Sequence, residues 1–138
     1  MYIMKHYLFI ISLFVPLFFG ACKKSNDCTA GLGGNLTIVA KTMHHTRAIP
    51  GCTVYIKYCT QELPGNGNIS AFDKSYKIAN DSVEIVISNL QKGEYYLYAV
   101  GIDSTLDPTK NSVKGGIPFS TDQNNGLINL IVPITEGD

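Results

Sequence analysis

Glu94-Tyr95-Tyr96-Leu97-Tyr98-Ala99-Val100-Gly101-Ile102-Asp103 decides the fold of this chain. Tyr95, Leu97 and Ala99 fall on one side of an extended backbone and Tyr96, Tyr98 and Val100 on the other. That two-residue period, carried by aromatic and β-branched side chains, predicts the strongest strand of the chain. On either side, similar short runs are separated by Gly, Pro, Asn and Asp at close spacing, and no segment sustains a helical period. Seven strands are predicted: Leu36 to His44, Cys52 to Cys59, Lys74 to Ala79, Val83 to Ser88, Glu94 to Asp103, 112–120 and 127–135. This pattern implies an all-β fold, a seven-stranded antiparallel sandwich of Ig-like or prealbumin-like type.

In the first strand Leu36, Ile38 and Ala40 alternate against Thr37, Val39 and Lys41; in the last, Ile128, Leu130, Val132 and Ile134 share a face. Asn80-Asp81 suits a tight hairpin between the third and fourth strands. Pro118 and Pro133 lack an N–H for a ladder and predict edge or bulged positions. Residues 60–73 make a loop long enough to need a reason: either a functional loop, or an ordered crossover packing Leu63 and Phe72 over the sandwich end.

Ahead of the domain, a positive start at Lys5 and His6 leads into an apolar run from Tyr7 to Phe19 and then Gly20-Ala21-Cys22. This is the layout of an export signal over residues 1–21. The cysteine directly after Gly-Ala resembles the lipobox of bacterial lipoproteins, which implies lipidation of Cys22 and attachment to a membrane through that N-terminal lipid. Residues 22–34 read as a flexible tether and 35–138 as the sandwich domain. The 138 residues less the leading 21 leave 117, enough for one domain with a core.

The 11 basic and 11 acidic side chains balance. Without a clustered positive field there is no case for nucleic acid binding. Lipidation of Cys22 leaves Cys28, Cys52 and Cys59, hence at most one bridge and an odd thiol. Cys52 and Cys59 lie seven residues apart along one predicted strand, roughly 23 Å, too far to pair. If the first two strands form a hairpin, the approach to the first lies beside the end of the second. Cys28 is then the better partner for Cys59, the alternative being three free thiols.

Two stretches resemble a known family. Ala48-Ile49-Pro50-Gly51-Cys52-Thr53-Val54-Tyr55-Ile56 is similar to the Ile-Pro-Gly-Ala-x-Val-x-Ile opening of carboxypeptidase regulatory-like, or transthyretin-like, β-sandwich domains. Ile87-Ser88-Asn89-Leu90-Gln91-Lys92-Gly93-Glu94-Tyr95-Tyr96-Leu97 resembles their second hallmark, Phe-x-x-Leu-x-x-Gly-x-Tyr-x-Leu. The chain departs from the pattern at Cys52, where the family has Ala, and at Asn80-Asp81-Ser82. The resemblance implies the sandwich but no activity. The hydrolase branch of that family carries a C-terminal Tyr-Arg-Gly-Ser motif that Ile134-Thr135-Glu136-Gly137-Asp138 lacks. Lipoproteins of this build in Bacteroidetes-type bacteria imply an outer-membrane address, with the mixed Lys23-Lys24-Ser25-Asn26-Asp27 leaving the periplasmic and surface leaflets both open.

Candidate chemistry is sparse. In the hairpin register, His44 lies near Cys52, and imidazole with thiolate suits Zn or Cu(I), so His44, His45 and Cys52 are the candidate metal ligands. Alternation along a strand, however, sends His44 and His45 to opposite faces. Tyr55, Tyr96 and Tyr98 share an outward face and make a candidate platform for a glycan or an envelope protein. Nucleophile elbows and phosphate loops are missing and the carboxylates sit singly in turns; a two-carboxylate glycosidase would need Glu62, Asp73 and Glu84 to converge in space, and charged turn residues explain them more simply. The expectation is a non-catalytic, lipid-anchored binding or structural module at the cell envelope without a cofactor; the alternative is an envelope metal-binding protein.

Overall fold

The computed structural model describes residues 28–109 and 111–137; the predicted leader over 1–21 and Cys22 lie outside them. The chain is an all-β, Ig-like sandwich. Its strands are β1 (Leu32–His44), β2 (Arg47–Ala48), β3 (Thr53–Tyr58), β4 (Lys74–Lys77), β5 (Glu84–Leu90), β6 (Gly93–Ile102), β7 (Ser112–Thr121) and β8 (Asn125–Glu136). Hydrogen bonding follows the path β2-β1-β8-β7-β6-β3-β4, with β5 added to β1. The joint between β8 and β7 consists of two residue pairs, Val113 with Glu136 and Lys114 with Thr135. The mixed sheet curls there into two layers.

Alternation then fills the space between them. Leu36, Ile38 and Ala40 of β1, Ile87 and Leu90 of β5, and Val132 and Ile134 of β8 meet Val54 and Ile56 of β3 and Tyr95, Leu97 and Ala99 of β6, all buried in one cluster. The opposite face of β1 and its neighbours looks outward, with Val86, Leu127 and Ile131 exposed.

Four expectations about pairing change. The first two long strands do not form a hairpin: β1 pairs antiparallel with β5 and parallel with β8, while β3 pairs with β6 and β4. The sandwich is therefore not purely antiparallel. Asn80-Asp81 does not close a hairpin either, because β4 lies in one layer and β5 in the other. An eighth, two-residue strand, β2, pairs with the end of β1. Both prolines stand inside the sheet, Pro118 opposite Tyr96 of β6 and Pro133 opposite Met43 of β1, and neither belongs to the two pairs that join β7 to β8.

The start of the described chain, read as part of a loose tether, is fastened to the body. Cys28 is bridged to Cys59 with Cα atoms 5.5 Å apart, Thr29 Oγ1 donates to the Lys92 carbonyl at 2.8 Å, and β1 already begins at Leu32. Cys28 reaches Cys59 because this segment crosses the entry of β6, not through a β1–β3 hairpin. Gly93 makes the crossing possible: at φ +142°, a Cβ there would stand 2.7 Å from the Ala30 nitrogen. Directly after it, fully buried Tyr95 donates its hydroxyl to the Gln91 carbonyl and accepts from the Gly31 N–H at 3.2 Å. This is the corner tyrosine arrangement of Ig-like sandwiches.

Where β6 passes the free thiol of Cys52, only glycine fits, since a Cβ on Gly101 would collide with Cys52 Sγ. Gly101→Ala is expected to cost about 1–3 kcal/mol in urea unfolding, and distinctly less in a Cys52→Ala background, where the obstructing sulfur is gone. Tyr58 gives a second test. Its hydroxyl oxygen is buried with no hydrogen-bond partner among the described residues, and burial, then the neighbouring Tyr76, push its pKa from 10 up to about 12. A pKa raised on folding stabilises fully below the unfolded value and loses that contribution as pH rises from 10 through about 12. Tyr58→Phe should therefore be neutral or stabilising by up to about 1 kcal/mol at pH 7, and should lessen the alkaline fall in melting temperature, with raised Tyr76 and Tyr95 sustaining the rest.

Candidate functional site

The inward stripe of β1 does not end with its apolar residues. Thr42 and His44 continue it and are both buried. Thr42 Oγ1 donates to the Ile49 carbonyl at 2.7 Å, which leaves His44 as the last inward side chain before the sandwich opens. An imidazole taken out of water needs partners, and the neighbouring strand ends supply them. Asp103, directly after β6, is buried and places Oδ2 2.9 Å from His44 Nδ1. Glu136, the last residue of β8, places Oε2 3.3 Å from His44 Nε2. That second contact is within ion-pair range but lacks hydrogen-bond alignment, so Nε2 is buried without a hydrogen-bond partner among the described residues.

Asp103 is held in place from its other side. Its Oδ1 accepts from Thr105 N at 3.0 Å and from Thr105 Oγ1 at 2.6 Å, and Arg47 Nη1 lies 3.7 Å away. The Thr105 bonds, and after them His44, keep the carboxyl ionised far below the usual range. The Asp103 bond in turn raises the His44 pKa above 6.5 against the opposing effect of burial, and Glu136 adds to the rise. Glu136 is lowered, first by its own backbone N–H and then by His44.

His45 joins the group for a backbone reason. It occupies the turn between β1 and β2 at φ 51°, in the left-handed region, so strict strand alternation ends there. Instead of pointing to the opposite face, its ring sits 4.4 Å from that of His44. Donor atoms of His44, His45 and Glu136 all lie within 4.8 Å of one another. They line an open cleft of about 230 Å³ together with Thr46, Arg47, Asp103, Thr105 and Leu106.

The other predicted site residues are placed differently. Cys52 does not line the cleft with the histidines: it is buried, donating at 3.5 Å to the same Ile49 carbonyl that Thr42 uses, and burial raises its thiol pKa. The hairpin that would have brought it to His44 does not form. Tyr55, Tyr96 and Tyr98 do not make an open platform, because the 60–73 loop folds over Tyr55 and Tyr98. Phe72 stacks on Tyr98 at 5.5 Å and packs on Tyr55 at 5.8 Å, leaving Tyr98 buried. Asp73 fixes that cover, its Oδ1 accepting from Lys57 Nζ and its Oδ2 from Tyr58 N, both at 2.8 Å. Phe72 thus lies on the sheet face, not over the sandwich end. Glu84, 3.9 Å from Lys41, belongs to the other layer from Asp73.

Asp103 and Glu136 are the site residues that reading the sequence missed. A signal existed: Leu36, Ile38 and Ala40 share parity with His44, and Ile128, Leu130, Val132 and Ile134 with Glu136. No family model matches the chain, and no curated protein does. Among solved structures, the backbone protein of pilus 2b from group B streptococcus is similar at 22% identity, over 75% of this chain and 42% of that one, with a TM-score of 0.44. The chain spans less than half the length of that protein.

The geometry separates a buried contact from a rim contact. Asp103→Asn should cost about 1.5–3 kcal/mol, since it weakens charge-assisted bonds to a buried imidazole. Glu136→Gln, whose carboxylate is 51% exposed, should cost distinctly less. Chemical denaturation of the two variants side by side checks the order.

Proposed function

We propose that this chain is an exported, non-catalytic binding or structural module, held at the outer membrane by lipid on Cys22. The observation that carries the reading is the Cys28–Cys59 disulfide, six residues beyond Cys22. Structural disulfides persist in oxidising compartments outside the cytoplasm, which agrees with the export signal predicted over residues 1–21. The bridge also fastens the folded body close to the proposed anchor, so that a short segment, and not a long loose tether, joins lipid to domain. β1 runs 13 residues from this end, and at about 3.3 Å per residue His44 stands roughly 40 Å from it. The His44 cleft then faces away from the membrane.

Of the two partner classes, envelope protein or glycan, the burial of Tyr98 beneath Phe72 weighs against the glycan, which would need exposed rings to stack on. The non-catalytic reading is supported by Asp73 and Glu84, two of the carboxylates a glycosidase reading would use, lying in different layers.

Intact-mass analysis of the native product should give a chain beginning at an acylated Cys22 with one disulfide, and Cys22→Ser should shift it out of the membrane fraction. An unmodified chain beginning at Met1, fractionating as before, would overturn the anchor. The bridge closes a separation of 31 residues, so Cys28→Ser should lower stability by about 3–4 kcal/mol.

A further inference from the structure

We propose that His44 Nε2, His45 and Glu136 form a Zn²⁺ site at the end of the sandwich, with Asp103 as the positioning residue behind His44. Nothing in the envelope reading requires this site, and it stands on separate observations.

The first is the state of His44. Its ring is 4% exposed, its Nδ1 is held by Asp103 at 2.9 Å, and its Nε2 is buried without an aligned partner. A carboxylate accepting from Nδ1–H fixes the tautomer that leaves the Nε2 lone pair free, and it raises the basicity of that nitrogen. This is the outer-shell arrangement that metal-ligating histidines use. The Glu136 carboxylate faces this nitrogen at 3.3 Å, a second donor set to share a cation with it.

The second is the convergence of donors. The three groups lie within 4.8 Å of one another; donors around tetrahedral zinc stand about 3.4 Å apart, given bonds of 2.0–2.2 Å. The difference falls on the exposed members, His45 in a turn and Glu136 at a strand end, while buried His44 acts as a fixed post. Charge agrees: Asp103 and Glu136 against Arg47 leave one net negative charge beside two imidazoles, and a divalent cation offsets it.

Donor type selects the ion. Two imidazole nitrogens and one carboxylate suit Zn²⁺, whereas Mg²⁺ and Ca²⁺ take oxygen donors. With Cys52 turned toward the Ile49 carbonyl, no thiolate is present to favour Cu(I). Three protein ligands leave a fourth position on the cleft side, open to water or to a donor from a partner.

The test uses the full-length chain in detergent, titrated with Zn²⁺ and with Mg²⁺ against a chromogenic chelator, and with Co²⁺ as a spectroscopic stand-in. One Zn²⁺ per chain is expected, with no competition from Mg²⁺, and Co²⁺ should give the d–d absorption of a tetrahedral centre. His45→Gly keeps the turn, since glycine accepts φ 51° without strain; it should fold at least as stably without metal, yet bind Zn²⁺ at least tenfold more weakly and lose the Co²⁺ band. Glu136→Gln should weaken binding at least tenfold, and Asp103→Asn by 10–100-fold. Absence of saturable Zn²⁺ binding, or affinity unchanged in both His45→Gly and Glu136→Gln, would overturn the site. Neither result bears on whether Cys22 carries lipid.

Discussion

The parallel ladder between β1 and β8, from Asn35 with Asn125 to His44 with Ile134, is the constraint on which the rest of this structure depends. Two strands running the same way finish at the same end. The last inward side chain of each, His44 and Glu136, therefore meets the other at the mouth of the sandwich. β6 reaches that end as well and delivers Asp103. An antiparallel pairing of the same strands would place His44 beside the start of β8 and scatter the group. The ladder also closes the fold, because β8 passes from β1 to β7 across only two residue pairs, and there the sheet turns into two layers.

The two ends of the sandwich are held by different chemistry. At the entry of β6, covalent and neutral interactions dominate: the Cys28–Cys59 bridge, the Tyr95 hydroxyl on backbone groups, and the ring of Tyr95 edge-on to Tyr58 and stacked on Phe119. At the far end, ionic groups are taken partly out of water and held by one another. Burying Asp103 carries a desolvation cost that its Thr105 and His44 bonds must offset. That end is thus the chemically responsive one, while the disulfide end is built for constancy.

The 60–73 loop shows why an exposed-looking stripe of tyrosines is weak evidence for a binding face. Period-two reasoning correctly sent Tyr55, Tyr96 and Tyr98 to the side opposite Tyr95 and Leu97, but that side need not face solvent. Two short 3₁₀ turns, Pro64–Gly67 and Ile69–Ala71, fold back over it, and Phe72 fills the space between Tyr55 and Tyr98. Asp73, bound to Lys57 and the Tyr58 N–H, makes the cover part of the fold.

Strand positions, inward parity and the β-sandwich class were written in the sequence, because side-chain alternation and Gly, Pro and Asn punctuation are local and survive without knowledge of neighbours. The inward parity of His44 was present too, as a continuation of Leu36, Ile38 and Ala40. Which strands pair was not, since hydrogen-bond partners far apart in the chain leave no periodic trace in either one. That is why Cys52 was expected beside His44, and why Glu136 and Asp103 were passed over. The left-handed turn at His45 was equally invisible: alternation holds only while the backbone stays extended, and the short link from β1 to β2 forces it out of that region. Only the tertiary structure, by running β1 and β8 in the same direction, decided which polar side chains share the mouth of the sandwich.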